Sequence, residues 1–102
     1  MDSYTIYGDR MTSREAAHEE LARALDFPDY YDRNLDALWD MICATDAYVA
    51  FLNVEAMLRS LGSYGCKILT TFYEAMEENE GFVFRIGPKE ETEAEAYFNA
   101  EE

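Results

Sequence analysis

Hydrophobic positions along this chain switch between two spacings, one typical of strands and one typical of helices. Short runs rich in aromatic and β-branched residues occur at 4–7, 48–52 and 82–86, and each predicts a β-strand. The run at 48–52 is apolar throughout, so we expect that strand to be covered on both faces of the sheet. Apolar residues recur at every third or fourth position between these runs, which predicts amphipathic helices. The predicted helices span about 13–25, 35–44, 54–61 and 64–79.

Local signals mark the ends of the first three helices. Thr12, with Glu15 three residues later, forms a capping-box pattern at the start of the first helix. Asn34 and Asn53 precede the second and third helices, where an asparagine side chain can accept a backbone hydrogen bond. Gly62 follows the third helix, as expected of a glycine that ends a helix.

Strands that are separated by helices favour parallel pairing with crossover connections. The predicted order is β-α-α-β-α-α-β, an α/β fold with a small three-stranded parallel sheet and about four helices packed over it. At 102 residues the chain is long enough for one domain and too short for two. We assign residues 1–87 to this domain and residues 88–102 to a partly disordered acidic tail. A short helix docked through Tyr97 and Phe98 is the alternative for the tail.

The charge balance narrows the range of partners. The chain has 22 acidic and 8 basic side chains, a formal net charge of −14, and 49% hydrophobic residues. Its hydrophobic content is too high for a disordered chain, and its shortage of lysine and arginine argues against direct nucleic-acid binding. Without residues 87–102 the charge is still −9. The negative electrostatic field of the chain favours a basic protein partner, because attraction between opposite charges speeds association. The alternative is that the acidic residues serve solubility alone.

The sequence shows no segment for export or membrane insertion. The N-terminal residues lack a basic start followed by an apolar run, and no stretch approaches the ~20 apolar residues of a membrane span. Cys43 and Cys66 fall in helical segments and are expected to be small, buried, reduced side chains rather than a disulfide. We therefore expect a cytoplasmic protein without a membrane partner.

Residues suited to metal binding or catalysis are sparse. His18 is the only histidine and has no second ligand at a suitable spacing, so we expect it at the surface or boundary of the first helix. The chain contains no glycine-rich phosphate loop and no serine or cysteine nucleophile with an evident base. We predict no metal, no cofactor and no enzymatic activity. A hydrolase that uses Asp36 and Asp40 is the alternative, and it would need a cleft beside them.

Asp36 and Asp40 are the most informative residues of the chain. They are four positions apart on the predicted second helix, so their carboxylates face the same side and repel each other. Aspartate is also a poor helix former, and its charge is unfavourable toward the C-terminal end of a helix. Because folding alone would not favour this pair, we infer that a molecule outside the chain requires these charges.

Aromatic residues lie beside the two aspartates. The spacing of Leu38, Trp39 and Ile42 predicts a buried helix face, with Trp39 at its border toward the carboxylates. Tyr30 and Tyr31 come just before this helix. High-affinity interfaces concentrate their energy in a few aromatic and charged residues, so the segment is suited to binding a partner. We expect Tyr30 to be exposed, whereas Tyr31 and Trp39 fit either a core or an interface.

Two segments resemble the central motif of the barstar family, namely FPDYY at 27–31 and NLDALWD at 34–40. Members of that family are small intracellular inhibitors of secreted, guanyl-specific ribonucleases of the barnase type. The strong part of the motif is confined to 27–42, and the wider resemblance covers about residues 4–86. It implies the same α/β fold that the hydrophobic pattern predicts, and a function as a ribonuclease inhibitor.

The resemblance also implies which residues contact the partner. Asp36 and Asp40 would sit among the catalytic arginine, lysine and histidine groups of the nuclease, with Asp40 as the central anchor. Tyr30 would pack near the catalytic histidine, and Glu74 on the fourth helix would form an outlying charge pair. The predicted partner-binding residues are Tyr30, Tyr31, Asn34, Asp36, Ala37, Trp39, Asp40 and Glu74.

Three features depart from the family pattern. Asp32 stands where barstar has a glycine, the pair Ala44-Thr45 replaces a glycine-tryptophan pair, and the acidic extension at 87–102 passes the usual end of the family. These departures concern the identity of the partner more than the mechanism of binding.

We therefore predict an inhibitor or immunity-type protein that binds a basic ribonuclease one to one and blocks its active site. In this mechanism carboxylates imitate the phosphates of RNA. The target is expected to be a ribonuclease, another nuclease or a toxin delivered by a competitor. The alternative is an interaction or regulatory module of the same fold that binds a different basic protein.

Overall fold

The computed structural model describes residues 2–87, which form three strands, four α-helices and one short 3-10 turn. In chain order the elements are β1 (Asp2–Tyr7), the turn (Gly8–Arg10), α1 (Arg14–Leu25), α2 (Leu35–Cys43), β2 (Ala47–Leu52), α3 (Val54–Leu61), α4 (Ser63–Glu78) and β3 (Phe82–Ile86). This order confirms the predicted β-α-α-β-α-α-β arrangement. The predicted tail at 88–102 lies outside the described residues.

β2 is the central strand of the sheet, with β1 on one side and β3 on the other. Both pairs are parallel, and the register places Phe51 between Ile6 and Ile86. Parallel neighbours cannot be joined by a tight hairpin, so each connection is a crossover, here with two helices. The prediction of a three-stranded parallel sheet with four helices is confirmed.

Side chains of β2 alternate between the two faces of the sheet. Ala47, Val49 and Phe51 are fully buried, whereas Tyr48 is 36% exposed. Val83 on β3 is exposed as well, so among residues 2–87 the helices cover only one face. The prediction that β2 is covered on both faces is therefore wrong. An apolar run also arises when an open face carries aromatic and small side chains.

Phe72 of α4 joins the helices to the sheet. It is fully buried, and its ring centroid lies 5.6 Å from that of Phe51, 5.7 Å from Phe82 and 4.9 Å from Phe84. Aromatic pairs of this kind contribute about 0.5–1.5 kcal/mol each beyond the apolar area that they bury. These contacts fix α4 on β2 and β3, and α4 in turn provides the surface on which α2 packs.

The start of α1 differs by one residue from the prediction. Ser13, not Thr12, is the N-cap, and its hydroxyl accepts a hydrogen bond from the Ala16 backbone N–H at 3.1 Å. The capping box predicted from Thr12 and Glu15 is therefore wrong. Serine and threonine can both cap a helix, and Ser13 has the extended backbone that an N-cap needs.

The start of α3 is held in an unexpected way. Asn53 occupies the N-cap position as predicted, but its backbone is left-handed, with a φ of +57°, and its side chain makes no cap hydrogen bond. The side-chain amide instead donates to Asp9 Oδ1 at 2.7 Å, in the turn after β1. The predicted end of α3 at Gly62 is confirmed. The φ of +59° at this residue is one that glycine adopts readily.

The two cysteines are free, but they are not both buried. Cys43 is half-buried at the end of α2, whereas Cys66 is exposed near the start of α4. The prediction of two small buried side chains is therefore wrong for Cys66. This position faces solvent because the neighbouring Gly65 and Ile68 occupy the buried side of α4.

Glu20 is a buried carboxylate that joins α1 to the end of β1. It accepts hydrogen bonds from the Tyr7 backbone N–H at 2.9 Å and from Arg23 Nη2 at 2.7 Å, and Arg10 lies 3.7 Å away. Burial alone would raise the pKa of this carboxyl group. The hydrogen bonds and the two cations outweigh burial, so the pKa of Glu20 lies below its usual value.

We expect Glu20→Gln to lower the free energy of unfolding by about 1.5–3 kcal/mol, the usual range for hydrogen bonds to a charged group. In the unchanged protein this contribution is fully present above the ordinary pKa of glutamate. It is lost as the pH falls through the lower pKa of folded Glu20, because the unfolded chain binds the proton first. Urea denaturation at neutral and at acidic pH measures both effects.

Glu55→Gln is the matched control for this prediction. It removes the same charge, but from an exposed pair with Arg59 on α3, at 3.9 Å, and such pairs contribute little. If the free energy of unfolding changes equally in the two variants, Glu20 makes no special contribution and the effect comes from net charge alone.

Candidate functional site

α2 carries the two aspartates on its solvent side. Leu38 and Ile42 are fully buried, whereas Asp36 and Asp40 are exposed. A helix turns by 100° per residue, so these positions fall on two different faces. The prediction that both aspartates face the same side of the helix is confirmed, and we call Asp36 and Asp40 the acidic pair.

Asn34 fixes the start of α2. Its Oδ1 accepts a hydrogen bond from the Ala37 backbone N–H at 2.7 Å, which confirms Asn34 as the N-cap. Arg33 just before it has a left-handed backbone, with a φ of +53°, and forms an exposed ion pair with Glu19 of α1 at 3.3 Å. Asn34 therefore has a structural role, and its contact with a partner stays a prediction.

The two adjacent tyrosines differ in exposure. Tyr30 is 78% exposed, and within residues 2–87 its side chain forms no hydrogen bond or ring contact. Tyr31 is only 6% exposed and belongs to the core, where its ring centroid lies 4.7 Å from that of Phe27. The ring of Tyr30 is thus accessible from solvent, whereas Tyr31 belongs to the core, and contact of either residue with a partner stays a prediction.

Trp39 and Ala37 lie between the core and the solvent side of α2. Both are half-buried and pack against buried core residues. Trp39 is therefore part of the core and of the surface at once, in keeping with its predicted border position. Glu74 is exposed on α4, the helix against which α2 packs, so it lies on an element next to the acidic pair.

A further carboxylate approaches the C-terminal end of α2 from α4. Asn79, which follows Glu78 directly, donates its side-chain amide to the Thr45 carbonyl at 2.9 Å, so the end of α4 lies beside the end of α2. Burial raises the pKa of the Cys43 thiol, and the charges of Glu78 and Asp40 raise it further. Glu78 is not among the predicted partner-binding residues. The signal that could have found it is its position one helical turn after Glu74. The acidic surface therefore spans two helices.

Residues 26–34 connect α1 to α2, and we call them the tyrosine loop. Backbone hydrogen bonds join the start of this loop to α1 and close a turn within the loop. The Phe27 N–H donates to the Ala22 carbonyl at 3.0 Å, and the Tyr31 N–H donates to the Pro28 carbonyl at 3.0 Å. The position of the loop therefore depends on its contacts with α1.

His18 is buried against this loop, so the expectation of a surface or boundary residue is wrong. It is 1% exposed, with Nδ1 2.6 Å from the Tyr31 hydroxyl and Nε2 2.7 Å from the Tyr64 hydroxyl. Burial lowers the pKa of His18, and the charge of Arg33 lowers it further. His18 precedes the buried Leu21 by three positions, so the two side chains share one face of α1. This spacing is the sequence signal that could have predicted the burial of His18.

A cavity of about 390 Å³ lies at the start of α3, and its lining includes Asp9 and Arg59 but no residue of α2 or of the tyrosine loop. Among residues 2–87, no group of three or more histidine, cysteine or acidic side chains is arranged to hold a metal ion. In the same part of the chain, no helix combines the length and apolar character needed to cross a membrane. The acidic pair lies on a surface outside this cavity.

Comparison with known proteins finds similarity over the region of the site. A family model described as "Barstar (barnase inhibitor)" matches residues 1–89, a range that includes every predicted partner-binding residue. A protein of Bacillus subtilis (strain 168), named "Putative ribonuclease inhibitor YrdF", is 40% identical over 81 residues. The alignment covers 76% of this chain and 89% of that protein.

We expect the free energy of unfolding to fall as the pH is lowered through the ordinary pKa of histidine, about 6.5. The pKa of folded His18 lies below this value, so the unfolded chain binds a proton at a pH where the folded chain does not. The contribution of His18 is complete at higher pH and is lost as the pH falls toward its lowered pKa. Urea denaturation at a series of pH values measures this slope.

His18→Gln is the control, because His18 is the only histidine of the chain. In this variant the free energy of unfolding should no longer change with pH near neutrality. It should still fall at acidic pH, where carboxylates titrate. An unchanged slope near neutral pH in this variant would show that His18 does not produce it.

Proposed function

The chain belongs to the barstar family, and we propose that it inhibits a ribonuclease by binding one to one and covering its basic active site. One observation carries the proposal: Asp36 and Asp40 are exposed together on one side of a helix whose other side is buried. The family description and the name of the Bacillus subtilis relative support an inhibitor rather than an enzyme.

The acidic pair acts in this proposal as a substitute for RNA phosphates. A ribonuclease active site concentrates cationic side chains where it holds phosphate, and carboxylates form charge-assisted hydrogen bonds with the same groups. Asp40 is the central anchor and Asp36 a second contact. Because α2 already holds both carboxylates in place, the chain loses little conformational freedom on binding.

The remaining predicted contacts surround the acidic pair. Tyr30 supplies an exposed aromatic ring, and aromatic side chains are enriched among residues that dominate binding energy. Ala37 is small and half-buried, so it lets the partner approach α2 closely, and Trp39 lines the same contact. Glu74 adds a charge pair from α4 at the edge of the interface.

The negative field of the chain assists the encounter with a basic partner. The net charge of −14 would attract a basic nuclease over a distance set by the ionic strength, and this attraction raises the association rate. We assign the protein an immunity-type role on this basis, in which fast capture protects a cell from a nuclease or toxin.

A second candidate function is binding to a different basic protein through the same surface. It is favoured by Asp32 and by the pair Ala44-Thr45, which depart from the family pattern; Asp32 and Ala44 are exposed and Thr45 is half-buried. Asp32 adds a carboxylate to the tyrosine loop, and Thr45 leaves the end of α2 without the large side chain of a tryptophan. Compared with a barnase-type ribonuclease, a partner that fits this surface would carry one more cationic side chain. Its contact surface would also have a different shape.

We expect Asp40→Ala to raise the Kd of the complex with a barnase-type ribonuclease at least about 30-fold, which corresponds to about 2 kcal/mol. The free energy of unfolding should stay the same or rise slightly, because the repulsion with Asp36 is removed. Inhibition assays of the purified proteins and urea denaturation measure the two quantities separately.

Glu55→Ala is the matched control, since Glu55 is an exposed carboxylate on α3, outside the proposed interface. A similar loss of affinity in both variants would assign the effect to net charge rather than to position. Unfolding of Asp40→Ala would mean that the acidic pair is structural. If the unchanged protein does not inhibit the ribonuclease, the target lies among other basic proteins.

The association rate constant should fall steeply as salt is raised from about 0.05 to 0.5 M, because ions screen the attraction between the two proteins. The dissociation rate constant should change much less, since close contacts inside the complex are screened less. Stopped-flow or surface-based kinetics at several salt concentrations measure both constants. An association rate that does not depend on salt would contradict electrostatic steering.

A further inference from the structure

We propose that His18 is a positioning residue for partner binding. Through its hydrogen bonds to Tyr31 and Tyr64 it holds the tyrosine loop, and with it Tyr30, in the conformation that the partner meets. The inference deepens the proposed function and rests on it, because it assigns a role in binding to a side chain that the partner cannot reach.

The network joins three elements of the fold. His18 belongs to α1, Tyr31 to the tyrosine loop and Tyr64 to the first turn of α4. The two hydrogen bonds are short, 2.6 Å from Nδ1 to the Tyr31 hydroxyl and 2.7 Å from Nε2 to the Tyr64 hydroxyl. The guanidinium of Arg14 lies 4.3 Å from the centroid of the Tyr64 ring at the outer end of the network. The loop is thereby connected to two helices through one imidazole.

Burial determines which atoms of the network donate. Within residues 2–87 the Tyr31 hydroxyl has no hydrogen-bond partner other than His18 Nδ1, so it must donate its proton to that nitrogen or leave it unsatisfied. Nδ1 is therefore the acceptor, and Nε2 carries the hydrogen that is donated to the Tyr64 hydroxyl. Tyr64 is half-buried, so solvent can accept its own proton.

This assignment requires a neutral imidazole, and the surrounding charges favour it. Arg33 from the loop and Arg14 from α1 are the cations near the network, and Glu19 pairs with Arg33 at the surface. A proton on Nδ1 would reverse this bond, so that Nδ1 donates to the Tyr31 oxygen, and would leave the proton of the buried hydroxyl without an acceptor. The hydrogen bond to the loop and the neutral state of His18 are therefore linked.

The position of Tyr30 depends on this anchor because its own side chain has none. Tyr30 is 78% exposed and within residues 2–87 forms no hydrogen bond or ring contact, so its neighbour in the chain fixes its backbone. A second polar connection from a loop side chain to α1 is the ion pair between Arg33 and Glu19, in which both side chains are more than half exposed and screened by solvent. The buried bond from Tyr31 to His18 is the stronger restraint.

Tyr31→Phe tests the proposal, because it removes one hydroxyl and keeps the buried ring. With a barnase-type ribonuclease as partner, we expect the dissociation rate constant to rise about tenfold while the association rate constant changes less than twofold. Tyr64→Phe should act in the same direction but more weakly, since it leaves the bond to the loop in place. Tyr73→Phe is the matched control, because Tyr73 is an exposed tyrosine on α4 without a hydrogen-bond partner among residues 2–87.

Hydrogen exchange supplies a second readout that does not need the partner. The Phe27 amide donates to the Ala22 carbonyl of α1, and the Tyr31 amide donates to the Pro28 carbonyl inside the loop. In Tyr31→Phe both amides should exchange faster, by the same factor as the amide of Val49 in β2, because opening of the loop and unfolding of the chain would break the same hydrogen bond. If the hydroxyl stabilises the fold as a whole but does not hold the loop, hydrogen exchange at the Val49 amide becomes faster. Exchange at the two loop amides then stays unchanged. That result, or an unchanged dissociation rate constant in a complex that does form, would overturn the proposal.

The two readouts separate failure of this inference from failure of the proposed function. If the ribonuclease binds neither the unchanged protein nor the variants, the proposed function is wrong for that target. The loop amides then decide the positioning role alone: faster exchange in Tyr31→Phe supports it, and unchanged exchange overturns it.

Discussion

Burial of Leu38 and Ile42 is the interaction on which the acidic pair depends. Each fully buried side chain of this size contributes about 1.5–3 kcal/mol, and an asparagine cap such as Asn34 contributes about 1 kcal/mol. Repulsion between Asp36 and Asp40 costs only about 0.2–0.5 kcal/mol, and the low helix propensity of each aspartate costs about 0.7 kcal/mol at most. The apolar side of α2 therefore determines that the helix forms, and its solvent side is free to carry charges chosen for a partner.

Periodicity along the chain is sufficient to locate the acidic pair but not the side chains that support it. Leu38 and Asp40 separate onto two faces of one helix, and that separation is a local property of the sequence. The contacts of His18 are not local, since they join residues 13 and 46 positions apart. Asn53 shows the same limit, because its amide bonds Asp9, 44 positions away. Local patterns reveal which residues can be buried or capped, but not which distant groups they meet.

The sheet illustrates why fold class was more predictable than burial. Alternation of strand-like and helix-like spacing favours parallel pairing, and this reasoning leads to the observed order of elements. Whether a strand is covered on one face or two depends on where the crossover helices lie. Tyr48 and Val83 remain exposed because the helices lie on the other face. An apolar composition in β2 is compatible with both arrangements, so only the three-dimensional structure distinguishes them.

The chain uses carboxylates in two opposite ways, and the contrast bears on the kind of partner that we propose. Glu20 is buried and its charge is balanced within the protein by Arg23 and Arg10. The acidic pair forms no ion pair within residues 2–87, and Arg33, the only base between the ends of α1 and α2, is held by Glu19 instead. In the proposed complex the partner supplies cations for these carboxylates. An acidic surface would be repelled, and a neutral surface would bury these charges without compensation, so the proposed selectivity for a basic partner agrees with what the described residues leave unpaired.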